Sequence, residues 1–341
     1  MRRCIQLAKN GHSHTSPNPM VGAVIVCDDK IIGEGYHAKC GGPHAEVNAI
    51  NSVKDQSLLK RSTIYVSLEP CSHYGKTPPC ADLIIRKEIP RIIIGCQDPF
   101  KEVAGRGIKR IRDAGREVVV GVLEDECANL IKPFRTFNTL RRPYITLKWA
   151  ESSDGYIDIC RSSGSPAILS TDLTAMLVHK KRAESDAIMV GTQTARLDNP
   201  LLTVRNWHGN NPTRVVIDRN LSLKSSLHLF DGSISTLVFT TKHKLEEGKT
   251  EYITIDFNAD ILPQILTALY NRKVQSLFVE GGSILLQSFI NGGFWDEIFI
   301  EKSIKSLNFG VKSPQIKDKN KHSVEKHFGV TVYHYTNEKD G

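Results

Sequence analysis

Short apolar runs alternate with helix-like stretches from one end of the chain to the other, and that alternation admits few architectures besides α/β layers. In the first half the runs 21–26, 63–68, 91–95 and 117–121 read as strands. Asp28-Asp29-Lys30 is a tight turn that returns the first of them along 31–35 as a hairpin. Helices are predicted over 43–52, 80–87 and 107–114. Gly41-Gly42 opens the first, with Pro43 early in its first turn. A second series, 144–149, 187–191, 213–218, 236–239 and 276–280, follows Arg141-Arg142-Pro143. The sequence therefore reads as two α/β domains, 1–142 and 143–341, without internal repeats or low-complexity tracts. The tail beyond Lys312 is rich in Lys and His and is expected to fray or pack loosely.

A chain of 341 residues has room for two cores. No apolar run reaches the roughly 18–20 residues that span a bilayer. The opening residues resemble an amphipathic helix more than a signal peptide, so a cytoplasmic enzyme is expected. Charge is uneven: 22 Lys and Arg face 15 Asp and Glu through Arg142, against 23 and 22 beyond it. A basic first half suits an anionic substrate, a phosphorylated metabolite or nucleic acid, or is simply a solvated surface. Seven of the eight cysteines precede residue 143, which in a cytosolic chain points to metal or catalysis. Cys4, Cys27, Cys96, Cys127 and Cys160 have apolar or helical neighbours and read as buried small hydrophobes.

Three residues stand apart. His44 sits at the mouth of a helix, Cys71 follows a strand and a proline, and Cys80 opens the next helix after Pro78-Pro79. One imidazole and two thiolates suit Zn²⁺ and leave a fourth tetrahedral position to water. The dipole of the helix it begins favours the Cys80 thiolate. Glu46, two residues from His44, does not share its side of a helix. In the first turn both can still approach a metal lying off the helix end, one as ligand and one as proton carrier. The competing reading is a closed structural zinc site, for which Cys40 or His73 would supply the fourth ligand.

His44-Ala45-Glu46 followed by Pro70-Cys71 and Cys80 is a variant of the zinc-deaminase signature, with eight residues between the cysteines instead of two. The stretch Cys71-Ser72-His73-Tyr74-Gly75-Lys76-Thr77-Pro78-Pro79-Cys80 closely resembles the bifunctional deaminase/reductase family of riboflavin biosynthesis. So do Thr15-Ser16-Pro17-Asn18-Pro19-Met20-Val21-Gly22, Gly33-Glu34-Gly35-Tyr36-His37 and Val103-Ala104-Gly105-Arg106-Gly107. The resemblance implies a cytidine-deaminase-like layered domain that binds one zinc through His44, Cys71 and Cys80. It further implies hydrolytic deamination of 2,5-diamino-6-(5-phosphoribosylamino)pyrimidin-4(3H)-one, with Glu46 moving the proton. Asn18, His37, His73, Lys76 and Thr77 would contact substrate, Lys76 at its phosphate.

In the second half no G-x-G-x-x-G follows a strand, so a Rossmann dinucleotide site is not supported. Phe278-Val279-Glu280-Gly281-Gly282-Ser283 instead runs from strand through a Gly-Gly turn into a helix over 284–290. Such a turn exposes backbone N–H groups where a phosphate can bind, and is equally an ordinary helix entry. Leu147-Lys148, Asp154-Gly155 and the segment 190–205 are similar to the reductase half of the same family. That similarity implies a dihydrofolate-reductase-like α/β fold that reduces the ribosyl group of 5-amino-6-(5-phosphoribosylamino)uracil to ribityl with NADPH. Thr194, Asp198, Arg219 and Gly282 would hold the cofactor. Ser165, Arg182, Leu202, Arg205 and Glu280 would hold the phosphorylated sugar. It also implies small phosphorylated pyrimidines as partners, not nucleic acid or membrane, and a homo-oligomer of two or more chains. Two residues depart from the family: Ala167 replaces a frequent tryptophan, and Glu151 replaces a small residue, placing a negative charge near an anionic cofactor. The rival readings are a nucleic-acid or nucleotide deaminase with an unrelated second domain, a zinc-stapled ligand sensor, and a deaminase with an inactive reductase half.

Overall fold

In the computed structural model residues 1–74, 78–100, 104–316 and 322–337 are described, and the chain divides into two units, Met1–Arg141 and Arg142–Gly341. The first contains α1 (Arg2–Lys9), β1 (Gly22–Cys27), β2 (Lys30–Tyr36), α2 (Ala45–Ser52), β3 (Thr63–Leu68), α3 (Cys80–Arg86), β4 (Arg91–Cys96), α4 (Arg106–Asp113), β5 (Glu117–Val120), α5 (Glu124–Leu130) and α6 (Lys132–Leu140). Its strands lie in the order β2-β1-β3-β4-β5. β1 is antiparallel to both neighbours, and β3, β4 and β5 are parallel. The hairpin turn has Asp28 and Asp29 both at positive φ, 49° and 58°, as a two-residue turn between twisted strands requires.

Apolar spacing fixes the layers. Ala45, Ala49 and Ile50 of α2, Ala81 and Ile84 of α3, and Ile108 and Ile111 of α4 pack with Ala23, Ile25, Ile64, Val66, Ile92 and Ile94 on one face of the sheet. Ala8 of α1 and Cys127 and Leu130 of α5 close the other face against Leu68 and Cys96. The strand directions bring the start of β1 and the ends of β2, β3 and β4 to one edge. Residues 14–21, 37–44, 69–74 and 97–100 therefore all leave the sheet at that edge.

The second unit contains β6 (Tyr144–Glu151), β7 (Tyr156–Asp158), α7 (Asp172–Ala183), β8 (Ala187–Val190), α8 (Thr192–Asp198), β9 (Thr213–Ile217), β10 (Thr236–Thr240), β11 (Thr250–Thr254), α9 (Ile261–Asn271), β12 (Ser276–Val279), α10 (Ser283–Gly292), β13 (Glu297–Lys302), β14 (Val311–Lys312), β15 (His322–His327) and β16 (Val330–Thr336). The main sheet runs β11-β10-β9-β8-β12-β6-β13-β16-β15, parallel as far as β13 and antiparallel beyond it. Ile145, Leu147, Ala187 and Met189 face α9 and α10, and Ile188, Val190, Val216 and Phe278 face the opposite core with Ala195 and Leu202. Strand order reverses around β8 and β12, and the carboxyl ends of such strands are where open parallel sheets bind ligands.

The structure corrects three sequence expectations. Pro43 lies outside α2, whose N-cap is His44 in extended geometry. Cys160 is exposed, because it follows the short β7 into an open loop; Cys4, Cys27, Cys96 and Cys127 are buried. Residues 322–336 of the tail do not fray: β15 and β16 form a hairpin that extends the main sheet through β13. Its alternation was masked by the polar residues of His322–His327, which belong to an edge strand and stay exposed.

Candidate active sites

At the edge of the first sheet the His44 Nδ1 atom lies 3.6 Å from Cys71 Sγ and 3.4 Å from Cys80 Sγ. Ligand atoms of His and Cys on one tetrahedral zinc are about 3.6 Å apart, so the donor set and its spacing both fit Zn²⁺. Among the described residues these three form the one such group, with all ligand atoms within 4.8 Å of one another. Neither Cys40 nor His73, both exposed, belongs to it, which weighs against a closed four-ligand site. Cys80 begins α3, and its backbone N–H donates to Cys71 Sγ at 3.3 Å. Hydrogen bonding from Cys80 and His44 pulls the Cys71 thiol well below its ordinary value, and the same contact with Cys71, aided by burial, pushes Cys80 up.

Glu46, in the first turn of α2, is 3% exposed. Burial, reinforced by Cys71, pushes its carboxyl up to about 7, so it takes and gives a proton near neutrality. His37 is buried at the end of β2. Its Nδ1 lies 3.0 Å from the Pro43 carbonyl oxygen and its Nε2 3.1 Å from Asn18 Nδ2. The carbonyl fixes the proton on Nδ1 and leaves Nε2 to accept from Asn18. Burial also lowers the His37 pKa and keeps the ring neutral. The His37 and His44 rings meet edge to face at 5.3 Å. Asn18, His37, His44, Glu46, Cys71 and Cys80 are thus drawn together, while His73 points to solvent. Lys76 and Thr77 lie outside the described residues.

In the second unit Thr194 and Asp198 follow the carboxyl end of β8, Arg219 that of β9, and Glu280 and Gly282 that of β12. Arg182 clamps Glu280 through two hydrogen bonds of 2.7 and 2.5 Å, with both side chains nearly buried, and also donates to the Thr203 carbonyl. His179, unremarked in the sequence, is buried beside them and accepts the Arg205 backbone N–H. Its pKa is lowered by burial and by the charges of Arg182 and Arg205. A lone His on an amphipathic helix gave no signal of this. Gly281 and Gly282 have positive φ, and a Cβ on Gly282 would lie 3.2 Å from Thr194 Oγ1. The turn at the head of α10 thus lies against α8, and a glycine-rich helix start offers backbone N–H groups to a phosphate, which fits a phosphate-bearing cofactor. Asp198 pairs with Arg161, which also holds Asp158. Arg219 is exposed over the Phe257 ring, Ser165 and Arg205 are exposed, and Leu202 is buried. The extra charge of Glu151 is met by Lys302 at 2.6 Å and by the Trp149 indole N–H, so it does not stand unpaired. A cavity of about 310 Å³ also opens beside α7, lined by Lys148, Thr174, Lys181, Phe299, Glu301 and Val332 among others, and contains none of the expected ligand residues.

Comparison with known proteins agrees with both halves. Residues 1–96 match the cytidine and deoxycytidylate deaminase zinc-binding region, and residues 143–302 match the RibD C-terminal domain. The riboflavin biosynthesis protein RibD of Aquifex aeolicus is 39% identical over 319 residues, 91% of this chain and 88% of that protein. Its counterpart from Escherichia coli is 33% identical, over 90% of this chain and 87% of that protein. The solved structure of a diaminohydroxyphosphoribosylaminopyrimidine deaminase/5-amino-6-(5-phosphoribosylamino)uracil reductase from Thermotoga maritima superposes with a TM-score of 0.89 at 37% identity, covering 98% of this chain and 96% of that one. No helix among the described residues is long and apolar enough to cross a membrane. With relatives this similar along nearly its whole length, the chain belongs to the RibD family of riboflavin biosynthesis proteins, in which a zinc-binding deaminase precedes an NADPH-dependent reductase.

Proposed function

We propose that residues 1–142 deaminate 2,5-diamino-6-(5-phosphoribosylamino)pyrimidin-4(3H)-one and that residues 143–341 reduce the ribosyl group of the resulting uracil to ribityl. The observation that carries the first step is the buried carboxyl of Glu46 set beside the His44, Cys71 and Cys80 cluster. Zinc, when bound there, supplies Lewis acidity that makes water a nucleophile at neutral pH. Glu46 takes the proton of that water as its oxygen bonds to the ring carbon bearing the 2-amino group. It then delivers a proton to the amino nitrogen as the carbon–nitrogen bond breaks and ammonia leaves. Asn18, held by the His37 ring whose tautomer the Pro43 carbonyl locks, presents a fixed polar group to the pyrimidine. His73, Lys76 and Thr77 of the enlarged loop contact the substrate, Lys76 at its phosphate.

NADPH, when bound, would supply a hydride to the anomeric carbon of the ribose as its bond to the ring oxygen breaks, and that oxygen takes a proton from solvent. Thr194, Asp198, Arg219 and Gly282 hold NADPH at the ends of β8, β9 and β12. Arg182, Arg205, Ser165, Leu202 and Glu280 hold the sugar phosphate, Glu280 orienting the Arg182 guanidinium through their paired hydrogen bonds. The substrates are small phosphorylated pyrimidines and not nucleic acid, for few aromatic residues interleave with the basic ones. Eight unpaired cysteines suit the reducing cytoplasm. Exposed Val324 and Phe328 on the β15–β16 hairpin offer a surface for assembly into a homo-oligomer. The test is product analysis of the diaminopyrimidinone phosphate incubated with enzyme. Without NADPH the deaminated ribosyl compound should accumulate, and with it the ribityl compound. Reduction before deamination would contradict the order proposed.

A further inference from the structure

Glu69 joins β3 to Pro70 and Cys71, and it is 5% exposed. Its backbone N–H donates to the Cys96 carbonyl at 3.0 Å. Its carboxylate accepts four backbone hydrogen bonds. Asp98 N (3.2 Å) and Gly105 N (2.9 Å) reach Oε2, while Gly107 N (2.9 Å) and Ile108 N (3.2 Å) reach Oε1. Two of these donors belong to the first turn of α4, where backbone N–H groups lack partners within the helix and a negative charge is favoured. The helix comes up flush against the metal loop, since a Cβ on Gly107 would lie 2.1 Å from the Pro70 carbonyl oxygen. Farther along α4, Arg110 donates to the Ser72 carbonyl at 3.2 Å and pairs with Asp82 of α3 at 2.6 Å. α4 thus touches the segment on each side of Cys71 and the helix that begins with Cys80.

We propose that Glu69 is a positioning residue for the metal. With α4 as a splint, it fixes Pro70–Cys71 against Cys80 and thereby sets how long zinc is retained. The inference rests on the reading of His44, Cys71 and Cys80 as zinc ligands. Glu69→Gln keeps the size of the side chain but replaces one acceptor oxygen by a donor, turning two of the four contacts into donor against donor. Groups that support metal ligands from behind typically change metal affinity about 10- to 100-fold when altered.

The experiment measures zinc release from the full-length, zinc-loaded protein into a chromophoric chelator, alongside the thiolate-to-metal absorption of the cobalt-loaded protein. Glu69→Gln should release zinc about 10- to 100-fold faster and alter the cobalt absorption, with reductase activity unchanged. Arg110→Met should shift release in the same direction by a smaller factor, and it decides the matter if Glu69→Gln does not fold. Lys109→Ala, on the same helix but paired among the described residues with Asp113, should behave as the unaltered protein. Zinc release at the unaltered rate in both Glu69→Gln and Arg110→Met overturns the proposal, even if their thermal stability falls. Cys71→Ser separates the two layers of inference: if it keeps its zinc, the ligand reading itself fails and the proposal with it.

Discussion

Replacing Glu46 by Gln should make the metal-free fold more stable while disabling deamination. The carboxyl is 3% exposed, and its pKa moves from the ordinary 4.5 to about 7 chiefly through burial. A shift of that size corresponds to about 3 kcal/mol of penalty on the ionised form. The sign follows from linkage: the folded state holds this proton more tightly than the unfolded chain. The fold is therefore unpenalised below about pH 4.5 and loses stability as pH rises through 7, where the buried carboxylate must ionise. Gln has the same shape and never ionises. In chelator-treated protein at pH 8, urea unfolding of the first unit should show Glu46→Gln more stable by about 3 kcal/mol, the difference closing by pH 4.5. With zinc restored, ammonia release should fall by roughly 10²- to 10⁴-fold, and reduction of pre-deaminated substrate should be untouched. A variant that is no more stable than the unaltered protein at pH 8, or a difference that does not depend on pH, would refute burial as the source of the raised pKa.

Three further outcomes follow from the two sites. One zinc per chain should be found by elemental analysis and be lost in Cys80→Ser; full occupancy in that variant contradicts the ligand set. Lys76→Ala should lower kcat/KM for the phosphorylated pyrimidine roughly 10- to 150-fold, the worth of one charge-assisted hydrogen bond, and spare the dephosphorylated analogue. Equal losses on both would show that Lys76 only shapes its loop. Arg182→Met leaves Glu280 without its partner in a nearly buried position and should cost about 3 kcal/mol or more of stability as well as raising KM for the reductase substrate. Adding Glu280→Leu should restore the stability but not the KM, and recovery of both would remove the pair from substrate binding.

The metal cluster was legible in the sequence because its chemistry sits in residue types: one His and two Cys beside prolines and helix starts have few other uses. The layered folds were legible because strands buried on both faces, such as Gly22–Cys27, appear as unbroken apolar runs. Glu69 was not legible. A glutamate before Pro-Cys looks like any strand-end charge, and only the fold brings residues 98 and 105–108 around it. The β15–β16 hairpin was hidden for the opposite reason, since an edge strand exposed along nearly all its length needs no apolar alternation. Pairings such as Arg182 with Glu280 and Asp198 with Arg161 join residues 98 and 37 positions apart, a proximity that local pattern does not encode.

Two activities in sequence, separable at Glu46, are best tested by following ammonia release and NADPH absorbance in parallel from the diaminopyrimidinone phosphate. Ammonia should appear first, with NADPH consumption lagging behind it. In Glu46→Gln both signals should collapse together, and NADPH consumption should return in full when the deaminated compound is supplied. NADPH consumption that proceeds in Glu46→Gln without ammonia release, or that fails with the deaminated compound in the unaltered enzyme, would contradict this assignment of the two halves.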